Sequence, residues 1–381
     1  MERRRPFSVG LLVVVAALAS LLAACGGESG SATDRTDEHV AGQLGDLVKG
    51  DFAPPPTDAP APAADKDVWI ISAWQQVHAL AYQAERVTEA AEVLGWQAHT
   101  CDGQNNANGG WSGCVRQAVA AGADGLVMLS VDCAPVKQAL VEARSKGVKI
   151  ASFSGFDCDD ETQGGGDPLF DAPAAPLTTA PTLAEWYTEL GRRRAQVAIA
   201  ATDGHAKVLH VSFKGITFGE YVAKGFREGI AACDDCEIVD TVEVAATEVP
   251  QIRQKFESAL VKSPDANVVA VDVDYFFTAG IQPALVAANR PGLTVVGSEC
   301  QSDDLGYIAS GRGEQFCLGT SPGYRAYAAI DALNRAFHNQ PPVPAGVGFQ
   351  LVTSSDNMPP EGEEFEGPVD YVAAYREAWG R

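Results

Sequence analysis

The chain predicts an α/β fold of two doubly wound parallel-sheet lobes, and three observations carry that prediction. From Val68 onward, apolar strands alternate with amphipathic helices at a regular beat. The strands are continuous apolar runs such as Val68-Trp69-Ile70-Ile71, which is how strands covered by helices on both faces read. The beat breaks between Asp157 and Pro181, then restarts for a second half of similar size, which implies two domains.

The N-terminal segment precedes that body. Arginines 3 to 5 lead an apolar run from Val9 to Ala24 that closes on Leu22-Ala23-Ala24-Cys25, which looks like a lipoprotein signal peptide with Cys25 as the lipidated residue. The alternative is an uncleaved anchor, but the run is shorter than the ~20 residues a spanning helix needs. Residues 25–66 are rich in Gly, Ser, Asp, Thr and Pro, and read as a disordered tether. Removing residues 1–24 removes three arginines and one glutamate, so the formal charge moves from −22 to −24. A body this acidic is unsuited to nucleic acid.

In the first half, a helix is predicted from Ala79 to Leu94, closed by Gly95. A strand at Gln97–Cys101, the turn Asp102-Gly-Gln-Asn-Asn106, a helix at Trp111–Ala121 and a strand at 125–129 follow. A helix at Pro135–Lys146 and a strand at Val148–Phe153 complete the set. The 157–181 segment reads as a solvated loop, without the ligand spacing of an EF-hand. In the second half, helices are expected at 183–201, 218–231, from Pro250, and at 275–288, with strands at 207–212, 237–242, 268–272 and 293–298. Pro322 starts a helix to His338, 348–354 reads as a last strand, and 369–379 as a short helix behind an acidic tail.

Besides Cys25, eight cysteines fall into pairs close in sequence: Cys101 with Cys114, Cys133 with Cys158, Cys233 with Cys236, and Cys300 with Cys317. An even count in an exported chain predicts disulfides. The competing reading of Cys233-Asp-Asp-Cys236, a redox dithiol or half a zinc site, lacks further ligands nearby.

The opening at Trp74, the Asp102–Asn106 turn, Ala123-Asp124-Gly125, Gly225-Phe226, Val296-Gly-Ser-Glu299 and Ser321-Pro-Gly323, in this order, resemble the type I periplasmic binding proteins, nearest the ribose-binding branch. That family has two Rossmann-like lobes joined by three chain crossings, with ligand between them. The resemblance implies one lobe from 67–175 and 321–348, and a second from 176–320 and 349–381 with the acidic tail. It places ligand-binding positions at Trp74, Gln75, His78, Ser154, Asp157, Lys214, Tyr221, Val222, Asp274, Glu299 and Thr320. Trp74 falls where the family stacks an aromatic on a sugar, and Asp274 and Glu299 where it bonds hydroxyls. The two clamping arginines are replaced by Gly155 and Val222, so a neutral or cationic ligand is expected.

The implied function is a monomeric, lipid-anchored extracytoplasmic receptor that delivers a sugar or polyol to an ABC permease. The alternative is a receptor of the same fold signalling to a membrane kinase or chemoreceptor. An enzyme would need a nucleophile and base. Six scattered histidines and no Gly-x-Ser-x-Gly elbow supply none, and no cofactor or metal is expected.

Overall fold

The computed structural model describes residues 32–381. The predicted signal segment and Cys25 lie outside the described residues. No helix among the described residues is long and apolar enough to cross a membrane.

The first lobe is built on β1 (Asp67–Ser72), β2 (Gln97–Asp102), β3 (Gly125–Leu129) and β4 (Lys149–Ser152), paired in parallel in the order β2-β1-β3-β4. The second repeats the order with β5 (Lys207–Lys214), β6 (Glu237–Ala245), β7 (Val268–Val271) and β8 (Thr294–Val296) as β6-β5-β7-β8. The expected fold class is therefore the observed one. It follows from strands such as β3 and β7, every residue of which is buried.

Helices α3 (His78–Val93), α4 (Gly110–Ala121) and α5 (Cys133–Ser145) cover the first sheet. Helices α6 (Leu183–Ala200), α7 (Thr217–Ala231), α8 (Ile252–Lys262) and α9 (Gln282–Ala288) cover the second. Pro250 falls in a 3-10 turn at Ala246–Gln251 just before α8 rather than opening it, and a π turn at Phe277–Ile281 precedes α9. Helix α6 begins with a capping box between Thr182 and Glu185. Gly225 of α7 is needed because a Cβ there would lie 1.8 Å from the Thr188 carbonyl oxygen of α6, so the two backbones touch.

Sequence reading missed α10 (Ser302–Ser310) and β9 (Cys317–Gly319), which are too short and interrupted to show a period. Helix α11 (Pro322–Phe337) starts at the expected proline, capped by Ser321, and packs on α3 and β4 of the first lobe. Strand β10 (Gln350–Val352) pairs antiparallel with β9. All four cysteine pairs are bonded, with Cα atoms 5.1–5.7 Å apart.

Two expectations are corrected. The described part of the tether is ordered: α1 (Ala32–Gln43) and α2 (Gly45–Lys49) are helices, and the proline-rich stretch after them lies along the body. Ala53 N–H donates to the Gly346 carbonyl (2.9 Å), Ala63 N–H to Asn334 (3.0 Å), and Trp96 Nε1 to the Ala63 carbonyl (2.7 Å). Prolines leave no N–H to satisfy, and the body supplies donors for the remaining carbonyls. The second correction concerns α12 (Tyr371–Ala378). It lies on α11, with Tyr371 stacked on Tyr324 and Trp379 on Tyr327, so the C-terminal helix joins the first lobe and not the second.

Candidate functional site

Both sheets point their carboxyl ends at one cavity of about 130 Å³ between the lobes. Strand ends of the first lobe supply Trp74, Ser130 and Ser154, and those of the second supply Phe213, Val273 and Glu299. Helices add Trp111 from α4, Tyr187 from α6 and Arg325 from α11. Most of the remaining wall is aliphatic, including Val77, Leu80, Ile216 and Val249.

Arg325 is the cation of this cleft, which corrects the expectation of a site without one. Its Nη1 donates to Glu299 at 2.9 Å, and its Nη2 donates to Ser154 Oγ at 2.5 Å and to Tyr187 OH at 2.8 Å. The guanidinium lies 4.8 Å from the Trp186 ring and 5.1 Å from Phe153. Glu299 comes from the second lobe and Arg325 from the first, so the ion pair bridges the lobes. Thr320 is buried beside it and reaches the same Glu299 oxygen at 3.4 Å. The signal in the sequence was weak: Arg325 precedes Ala329 by one turn on a face that is otherwise apolar, and Tyr187 reads as one more core aromatic.

Of the positions expected from sequence, Trp74, Ser154 and Glu299 face the cavity. Asp274 does not. Its carboxylate is turned back to accept the N–H groups of Ser298 (2.7 Å) and Gln301 (3.4 Å), and burial followed by the nearby Glu299 raises its pKa to about 6. Gln75 spends its side chain on Ser72 and the Leu80 carbonyl. Asp157 holds the N–H groups of Leu169 and Phe170, shaping the long loop. Val222 is buried where its carbonyl meets Gly191 in the α6–α7 seam. Lys214 is exposed and paired with Glu243 at 2.6 Å.

His78 and Tyr221 serve the closure instead. His78 Nε2 lies 3.1 Å from Glu364, whose other oxygen takes the Ser302 N–H of the second lobe at 3.0 Å. Tyr221 OH donates to Asp160 of the first-lobe loop at 2.9 Å, and Thr217 Oγ1 donates to Asp132 at 2.6 Å. Burial raises the Asp132 pKa. These contacts hold the two lobes closed on the cavity.

Behind Asp274, the buried carboxyls of Asp304 and Glu314 have no hydrogen-bond partner among the described residues. Desolvation and mutual repulsion, with Asp274 as the chief neighbour of each, raise both well above the carboxylate range. Deeper still, Asp272 accepts from Arg194 (2.7 Å) and faces His210 (2.9 Å), and these charges hold it low despite burial.

Among curated protein sequences, none matches the chain significantly. Solved structures share the fold. The periplasmic binding component of an arabinose ABC transporter from a Shewanella species, bound to L-arabinofuranose, superposes with a TM-score of 0.62 at 19% identity, covering 76% of this chain and 92% of that one. The myo-inositol binding protein of Caulobacter gives 0.63 at 17% identity, over 77% of this chain and 96% of that one. A periplasmic ribose ABC transporter protein from Conexibacter woesei gives 0.61 at 17% identity, over 77% and 94%. The periplasmic binding protein domain model matches residues 72–341, so this chain belongs to that family, which is one of solute-binding proteins and not of enzymes.

Proposed function

We propose that the chain is an extracytoplasmic, lipid-anchored solute receptor that closes its lobes on one small ligand and presents it to an ABC permease. The observation that supports this most is the cavity itself, whose wall is split between the carboxyl ends of both sheets and whose floor is an ion pair joining the lobes. Its volume of about 130 Å³ suits a solute of a single ring, as the arabinofuranose and inositol named for its structural neighbours are. Trp74 offers a ring to stack on. Ser154 and Thr320 hold the Arg325–Glu299 pair in place. With that pair near neutral, an uncharged or cationic ligand fits better than an anion.

The reading is tested by small-angle scattering of the mature protein before and after ligand. Ligand should compact a profile that is more open without it, and an unchanged profile with every ligand would count against a lobe-closing receptor. Anchoring is tested separately. Replacing Cys25 by Ala should leave the precursor unprocessed or release it from membranes, and a variant still processed and membrane-bound would remove the lipid anchor.

A further inference from the structure

Resting on the reading of the cleft as one that opens and closes, we propose that the segment between β10 and α12, residues 353–370, is a strap across the hinge that limits how far the lobes part, with Glu364 and Phe365 as its hold on the second lobe. The strap leaves the second lobe at the end of β10 and finishes on the first, where α12 lies on α11. It adds a crossing to those that run from β4 to α6, from β9 to α11 and from α11 to β10.

Neighbouring residues of the strap are held by opposite lobes. Phe365 is 3% exposed and packs with Cys300, Leu305, Ile308, Cys317 and Val352, all of the second lobe. Its ring lies so near β9 that a Cβ on Gly319 would come within 2.3 Å of it. Glu366, the next residue, is held by the first lobe: it accepts from Ser321 Oγ (2.9 Å) and the Gly323 N–H (3.1 Å) at the start of α11, and from Tyr82 OH of α3. Consecutive Cα atoms stand ~3.8 Å apart, so the crossing has no slack. Glu364, its side chain 8% exposed, touches both lobes at once. Its carboxylate accepts from the N–H (3.0 Å) and Oγ (2.6 Å) of Ser302 on α10, and His78 Nε2 on α3 lies 3.1 Å away.

The strap also stands beside the cleft. Glu364 lines a recess that shares Gln83, Glu299 and Gln301 with the main cavity, so opening the cavity draws α3 away from α10 with Glu364 between them. One set of its hydrogen bonds is then lost and Phe365 leaves its socket, and both costs oppose the motion. The N-terminal stretch reinforces the crossing. Asp51 is held by Arg193 (2.8 Å) and the Phe349 N–H (2.7 Å) of the second lobe, while the Ala53 carbonyl accepts from Tyr324 OH (2.7 Å) of the first. Phe52 between them lies 6.2 Å from the Phe365 ring.

Pulsed electron-resonance distances between spin labels at Val141→Cys on α5 and Val261→Cys on α8, both exposed, test the strap in the ligand-free mature protein. Glu364→Ala should lengthen the mean interlobe distance by more than ~2 Å, the scale of a domain rearrangement, and Phe365→Ala at least as much. Should Phe365→Ala fail to fold, Glu364→Ala decides alone. Glu361→Ala, at an exposed position of the same segment, should leave the distance unchanged, and a lengthening equal to that of Glu364→Ala would overturn the proposal. If the strap variants change nothing while Tyr221→Phe combined with Thr217→Val lengthens the distance, the lobes hinge without being limited by the strap, which overturns the inference and leaves the receptor reading intact. No lengthening in any variant removes both.

Discussion

The two lobes share one strand order, yet the carboxyl ends of their sheets present different side chains to the cleft. The first lobe presents Trp74, Ser130 and Ser154 to the cleft, while its own strand-end carboxylates, Asp102 and Asp132, are taken by the Gln75 N–H and by Thr217. The second ends in carboxylates: Asp272 and Asp274 after β7 and Glu299 after β8, with Asp304 and Glu314 buried behind them. The one cation at the cleft floor among the described residues, Arg325, reaches across from the first lobe. Topology therefore decides where a cleft forms, and the few side chains at strand ends decide its electrostatics. Here closure brings a lobe that presents one arginine to the cleft against a lobe whose strand-end carboxylates cluster behind it.

The largest way to break that asymmetry is to remove the arginine. Arg325→Met should destabilise the fold by ~3–5 kcal/mol, because it strands Glu299 beside an already acidic cluster, as chemical denaturation would show. Adding Glu299→Gln should recover much of the loss, and a double variant as unstable as the single one would argue that packing, not charge, holds the floor.

The acidic side sharpens the comparison through pH. Asp274, Asp304 and Glu314 have raised pKa values in the folded state, so between pH 4 and about 6 that state binds more protons than the unfolded chain. Stability contributed by these groups is full below the unfolded value and falls as pH rises through the folded one. For Asp274, raised from 3.8 to about 6, the loss is roughly 3 kcal/mol. Melting temperature should thus decline from pH 4.5 to 7, and Glu314→Gln should flatten the slope and stabilise the protein at neutral pH. A profile that rises over this range in both proteins would contradict the buried cluster.

The smallest expected effect is at the latch. Tyr221→Phe removes one hydrogen bond to Asp160 and should cost ~1 kcal/mol of closed-state stability, read as a more open scattering profile without ligand and little change in melting temperature.

Much of the fold was legible because apolar runs and helical periods are local signals. The site was legible only where it sits on a strand end, as at Trp74 and Glu299. Asp274 shows the limit: a carboxylate just past a strand can face a ligand or cap its own turn, and backbone N–H groups at 2.7 and 3.4 Å decided the matter. Arg325 and Tyr187 come from helices, where partners across the lobe interface give them their role. The proline-rich N-terminal stretch has the composition of a free coil, and order came from acceptors and donors elsewhere on the body, such as Asn334, which accepts from Ala63 and donates to the Pro60 carbonyl.

That docked N-terminal stretch would set how far the molecule could stand from the lipid anchor proposed at Cys25. If Cys25 is in the bilayer, only six residues separate it from Ala32, where the first described helix begins. Fully extended they reach at most ~25 Å, about half the ~50 Å width that a globule of this size has. Anchored in that way, the body would skim the bilayer instead of roaming above it. Its search for the proposed permease would then become lateral diffusion within a thin layer, with the local concentration of partners set by membrane area, not by the volume outside the cell.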